Sequence, residues 1–245
     1  MTNQTNEDLL NSYIKQKEEL EKLIEELQSQ MNNTNIPFAK EFLERYKIYN
    51  ASSVLQKENL LELKLFVNKK CNQISNDAQH TAKLIEELKR YENDTVFFDL
   101  FLLKLLDQGK VQVASQLEFY KPLGYILANL KDEFNKHYIR LTMYKNVNEM
   151  EIKGIYAIYF GCLYYKNDYE SAWFILASIL NVEPSQLTAG VLEAYFLVLT
   201  ELLWKISKKR LIKIYKYLER FYFKKMNNVP VEIRIKQKIE EYINK

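Results

Sequence analysis

The chain has 245 residues, 47% of them hydrophobic and 27% charged, with a net charge of +3. A chain of that length and apolar content buries a substantial core, which excludes wholesale disorder. Five Gly, four Pro, two His and two Cys are too few for the glycine-rich phosphate loops of α/β enzymes, a disulfide framework or a cysteine metal site.

The shortage of helix breakers beside abundant Leu, Ile, Lys and Glu predicts an all-α protein. No signal peptide and no apolar run near 18 residues stands in the sequence, so a reduced, intracellular, non-membrane chain is expected. From about Asn6 to Met31, apolar residues at spacings of three and four (Leu20, Leu23, Ile24, Leu27, Met31) predict a charged amphipathic, coiled-coil-like helix. Asn32-Asn33-Thr34-Asn35 breaks it, which divides the chain into an N-terminal helix and linker, 1–35, and a helical domain, 36–245.

Pro37 suits the first turn of a helix to Ile48, and Ser53-x-x-Gln56 is a capping-box signal for one running toward Val67. A polar stretch, Asn68 to Asn76, separates it from a helix through Leu84, Leu88 and Tyr91. Asn93-Asp94-Thr95 caps Val96 to Leu106, apolar on every side and hence buried. Further helices are predicted over Leu117–Leu130, Asp132–Tyr144, Glu149–Tyr165, Tyr169–Leu180, Ser185–Trp204, Lys208–Phe223 and Val231–Ile243. Helices of this length with short joints pack as antiparallel neighbours and stack into a solenoid-like array, although no letters repeat at a fixed period.

His80 and His137 are far apart and lie in no metal or general-base motif, and neither Cys71 nor Cys162 has a nearby His or cationic helix start. No nucleotide-binding or nucleophile motif occurs, so no enzymatic activity is expected. The charge is polarised instead. Between Lys205 and Lys225 stand nine basic residues against one acid, Glu219, and on a helix Lys209, Lys213, Lys216 and Arg220 form one face. Tyr215, Tyr217, Phe221, Tyr222 and Phe223 are interleaved. Three readings are open: a solvated face over core aromatics, a surface for an acidic protein or phosphate-bearing ligand, and an RNA-binding face.

From Ser171 the order Ala172-Trp173-Phe174-Ile175-Leu176-Ala177-Ser178-Ile179-Leu180-Asn181, Glu183-Pro184, Leu187-Thr188-Ala189-Gly190-Val191-Leu192, Phe196-Leu197 is distinctive. It resembles the Gly-Trp-x-Trp-Leu-Ala-Arg-Leu-Leu-Asn, Pro, Ile-Thr-Ala-x-x-Leu, Phe-Leu run of the GLFG-lethal mRNA export mediator family, nuclear-pore factors that activate a DEAD-box helicase. Lys208 to Phe223 is similar to that family's final basic helix. Fainter likenesses stand at Asn68-Lys69-Lys70-Cys71-Asn72-Gln73-Ile74-Ser75-Asn76, Pro122-Leu123-Gly124 and Met150-Glu151-Ile152-Lys153-Gly154-Ile155. The likeness spans roughly Ser53 to Lys225 and is specific around Trp173 to Leu197.

The resemblance implies a HEAT-like helical array, similar to the middle domain of translation initiation factor four-gamma. It implies a DEAD-box RNA helicase as partner, a nucleoporin as anchor, weak or indirect RNA binding, and location at the cytoplasmic face of the nuclear pore complex or in the cytoplasm. Lys69, Lys70 and Lys145 are its candidates for a helicase-facing or residual phosphate-binding region. Trp173, Leu176, Leu180 and Phe196 are its candidates for nucleoporin binding, with a second reading of Trp173 as a buried core aromatic. The chain departs from the family's pattern where a basic pocket for inositol hexakisphosphate is expected. Gln108 and Gln112 stand where the family has basic residues, and Tyr144-Lys145-Asn146-Val147 keeps one lysine of a Lys-Lys-Cys-Pro run. The site is therefore expected to be degenerate, with no cofactor required. The rival reading is a helical scaffold that binds RNA or translation factors through the Lys205–Lys225 segment.

Overall fold

The computed structural model describes residues 57–132, 134, 138, 147–181, 183–185 and 187–243. The predicted N-terminal helix and linker, the helix from Pro37, the Ser53 capping box, His137 and Lys145 lie outside the described residues. Residues 58–245 form one compact unit. It is all-α: among the described residues there is no strand.

The elements are α1 (Lys57–Asn72), α2 (Ala78–Lys89), α3 (Thr95–Gln108), α4 (Tyr120–Asn129), α5 (Glu149–Lys166), α6 (Tyr169–Leu180), α7 (Thr188–Tyr217) and α8 (Val229–Ile243). A π turn, Gly109–Val113, extends α3, and a second, Leu218–Tyr222, extends α7 into Phe223–Met226. The predicted polar break at Asn68 begins later, because α1 carries Cys71 into the core and ends only at Asn72. The two helices predicted on either side of residues 205–207 are both present: α7 breaks at Ser207 (φ −151°, ψ 69°), where the backbone is not helical, and its second half follows the first across that kink.

The helix starts follow from capping chemistry. Asp94 accepts hydrogen bonds from the amides of Val96 (2.8 Å) and Phe97 (3.0 Å), and Asn148 and Glu151 complete a reciprocal capping box at the start of α5. The helix ends explain part of the glycine shortage. Among the described residues the two left-handed ones, Asn167 (φ 52°) and Asn227 (φ 50°), are asparagines, and no glycine has positive φ.

All five glycines lie instead where helices meet. A Cβ on Gly124 of α4 would stand 2.8 Å from the carbonyl carbon of Gly161 on α5. Gly154 of α5 faces the Gly109 carbonyl and the Ala114 amide at the widened end of α3. α5 is the central helix and packs most extensively against α4 and α7. The contacts Lys153–Glu193 and Phe160–Tyr195 are in register with the approach of Gly190 to Glu149, so α5 and the first half of α7 run in the same sense. Arg234–Glu193 and Trp204–Tyr242 align α8 with that half of α7 as well. Segments of one direction are thus stacked side by side, and the intervening segments return the chain, as in stacked helix pairs. Phe97, Phe101, Phe134, Tyr138, Phe160, Tyr195 and Phe196 fill the core.

Candidate functional site: the basic face of α7

Beyond the Ser207 kink, Leu211, Tyr215, Leu218 and Tyr222 are buried at spacings of four, three and four. Tyr215 donates its hydroxyl to Glu240 of α8 (2.7 Å), and Tyr222 donates to the Ile179 carbonyl of α6 (3.0 Å). Burial raises both phenols above the ordinary tyrosine range, so both remain donors. This stripe fixes the rotation of the helix and turns its opposite side outward.

The nine cations of the segment then divide into two groups. Lys205 pairs with Glu201 (2.5 Å) and Lys225 with Glu183 (2.6 Å). Lys208 lies over the Trp204 ring (4.4 Å) and Arg210 over the Trp173 ring (5.4 Å). Lys209, Lys213, Lys216, Arg220 and Lys224 are exposed and have no ion-pair partner among the described residues. These five sit opposite the buried stripe, on one side of the helix. The single acid, Glu219, is drawn to Lys236 of α8 (3.7 Å).

The five interleaved aromatics separate too. Tyr215, Tyr222 and Phe223 are core, whereas Tyr217 and Phe221 are 41% and 58% exposed, with ring centroids 5.8 Å apart. The helical period measured from Leu211 contains the signal that sorts them, and Lys224 extends the predicted four-residue face by a further turn.

The other predicted residues that are described lie on α1, α6 and the first half of α7. Lys69 is exposed in the last turn of α1. Lys70 is held in an ion pair with Glu87 and lies 5.5 Å from the Phe66 ring centroid. The hydrogen bond from Lys70 keeps the Glu87 carboxyl below its ordinary range. Gln108 donates to the Cys71 carbonyl (3.0 Å), tying α3 to the end of α1.

Leu176 and Phe196 are fully buried and Leu180 is half-buried. Trp173 is half-buried under Arg210, and its indole nitrogen is buried without a hydrogen-bond partner. On the outer side of α6, Phe174 is 73% exposed.

Elsewhere the chemistry is subdued. Cys71 and Cys162 are buried, and desolvation pushes both thiols up to about 12, the opposite of nucleophile activation. His80 contacts the Gln73 carbonyl (3.0 Å) and donates its amide to the Asp77 cap. Among the described residues no group of three His, Cys, Asp or Glu could hold a metal, and no helix is long and apolar enough to cross a membrane. A cleft of about 460 Å³ between α2 and α4 is lined by Tyr125, Tyr165, Lys121 and Glu118, whose two charges pair with each other.

No protein-family model, curated protein or solved structure matches the chain.

Proposed function

We propose that this chain is a helical regulator, without an active site of its own, that binds a DEAD-box RNA-dependent ATPase in mRNA export. The observation that carries this reading is the ordered run from Ala172 to Leu197, which lies on α6 and the first half of α7. In this reading the helices form a HEAT-like array that holds the two lobes of the ATPase partly apart and so speeds release of RNA and product. Only contacts stronger in the open state than in the closed one can do this. A nucleoporin would anchor the chain at the cytoplasmic face of the nuclear pore, with the exposed Phe174 and half-buried Trp173 as the available parts of α6. Leu176 and Phe196 act through the fold, because neither reaches the surface.

The test is the RNA-stimulated ATPase rate of the cognate DEAD-box protein with purified chain added. A severalfold increase is expected, and an unchanged rate at saturating chain overturns the reading. Adding inositol hexakisphosphate should leave the stimulation unchanged, and titration calorimetry at physiological salt should detect no sub-micromolar binding of it. The scaffold reading is favoured by one separate observation, the five cations on α7 without ion-pair partners.

A further inference from the structure

The unpartnered cations of α7 form a line. Lys209, Lys213, Lys216, Arg220 and Lys224 span sixteen residues, or fifteen helical steps. At about 1.5 Å per residue the line is about 22 Å long, with one positive charge every 5 to 6 Å or so. The four other cations of the segment are exposed too but have partners within the fold, Glu201, Glu183 and two tryptophan rings, so this line holds the cations that have none. Tyr217 and Phe221 flank it, tilted 40° to each other and half-open to solvent. Glu219, the acid that would repel a polyanion, is paired with Lys236 of α8 (3.7 Å), a cation shared with Glu232 (2.7 Å).

From this arrangement we infer that the outer face of α7 is a binding track for single-stranded nucleic acid. Phosphates are held by the Lys209–Lys224 line, and bases stack on Tyr217 and Phe221. A strand supplies what the face asks for, a linear series of negative charges with flat apolar rings between them. An acidic peptide supplies charge but no rings. An anionic membrane is a plane, whereas the track is one helix wide, with Leu211, Tyr215, Leu218, Tyr222 and Phe223 turned into the core. The inference does not rest on the helicase reading and departs from the weak RNA binding that reading implies. Strand binding is measured on the chain alone, so either can fail without the other.

The test is fluorescence anisotropy of labelled oligouridylate and oligothymidylate, about ten nucleotides long, with the full chain across a salt series. If all five cations meet phosphates, the logarithm of the affinity falls with the logarithm of salt at a slope near −3.5, about −0.7 per contact. The triple variant K213E/K216E/R220E should bind at least about tenfold more weakly, and its slope should fall toward −1.4 or so. The pair Y217A/F221A should lose about tenfold in affinity at an unchanged slope, and F221W should retain binding. All these residues are exposed, so thermal melts should match the parent. Binding indifferent to both variants overturns the inference. So does tighter binding, under the same salt, to polyglutamate or to vesicles of phosphatidylcholine with one-third phosphatidylserine.

Discussion

Replacing Gly154 with alanine will destabilise the helical unit by about 3 kcal/mol, although alanine is the better helix former by about 1 kcal/mol. The added Cβ would stand 2.6 Å from the Ala114 amide nitrogen and closer still to the Gly109 carbonyl oxygen. Both are backbone atoms, so no rotamer change relieves the overlap. The end of α3 must back away from α5, and the packing around buried Val113 and Ile155 loosens with it. Gly161→Ala is the control. Its Cβ would meet the ring of Tyr120 at 2.8 Å but its nearest backbone atom, the Tyr120 carbonyl oxygen, only at 3.3 Å, and about 1 kcal/mol is expected. Thermal melts by circular dichroism should show a Tm several degrees lower for G154A than for G161A. Equal melting temperatures would mean that α3 and α5 do not approach as closely as this packing requires.

The same glycines mark what could be read from the sequence. Their scarcity correctly excluded loops built on glycine, and the apolar periods located most of the helices. The use to which the five were put is invisible in sequence, because a glycine inside a helical pattern looks like a tolerated defect until a second backbone lies against it. Gly154 and Gly109 are 45 positions apart, and only the tertiary fold pairs them. The left-handed caps were hidden for the converse reason, since Asn167 and Asn227 occupy positions where glycine is the usual signal.

For the basic face, local information went further. The spacing of Lys209, Lys213, Lys216 and Arg220 alone gave the face, because a helix fixes those angles. Which of the nine cations remain available is a tertiary matter. The Lys205–Glu201 pair is legible as an i,i+4 contact, but Glu183 neutralises Lys225 from 42 residues away. The pairing of Lys70 is tertiary in the same way, since its partner Glu87 comes from α2.

Glu193→Ala should cost about 3 kcal/mol at neutral pH, with a penalty that shrinks as the solution is acidified. Glu193 is 1% exposed in the middle of the apolar first half of α7. Its carboxylate accepts from Lys153 Nζ of α5 (2.6 Å) and from Arg234 Nε and Nη2 of α8 (2.6 and 2.8 Å). Burial alone would raise its pKa, but the hydrogen bonds from Arg234 and Lys153 more than offset that and hold it below the ordinary glutamate range. A carboxyl depressed on folding contributes stability that is present in full above its unfolded pKa, about 4.3. That contribution is lost as pH falls through the lower, folded value. The wild-type chain should therefore lose stability on acidification more steeply than E193A, and denaturant midpoints measured from pH 7 to 3 should converge at the acid end. Removing the carboxylate leaves Lys153, 22% exposed, worse placed than Arg234, whose 45% exposure gives it access to water. Restoring shape and one acceptor with E193Q should recover about half of the loss. A variant as stable as the parent at pH 7 would show that α5, α7 and α8 are held together by their apolar contacts alone and that this buried charge contributes nothing to joining them.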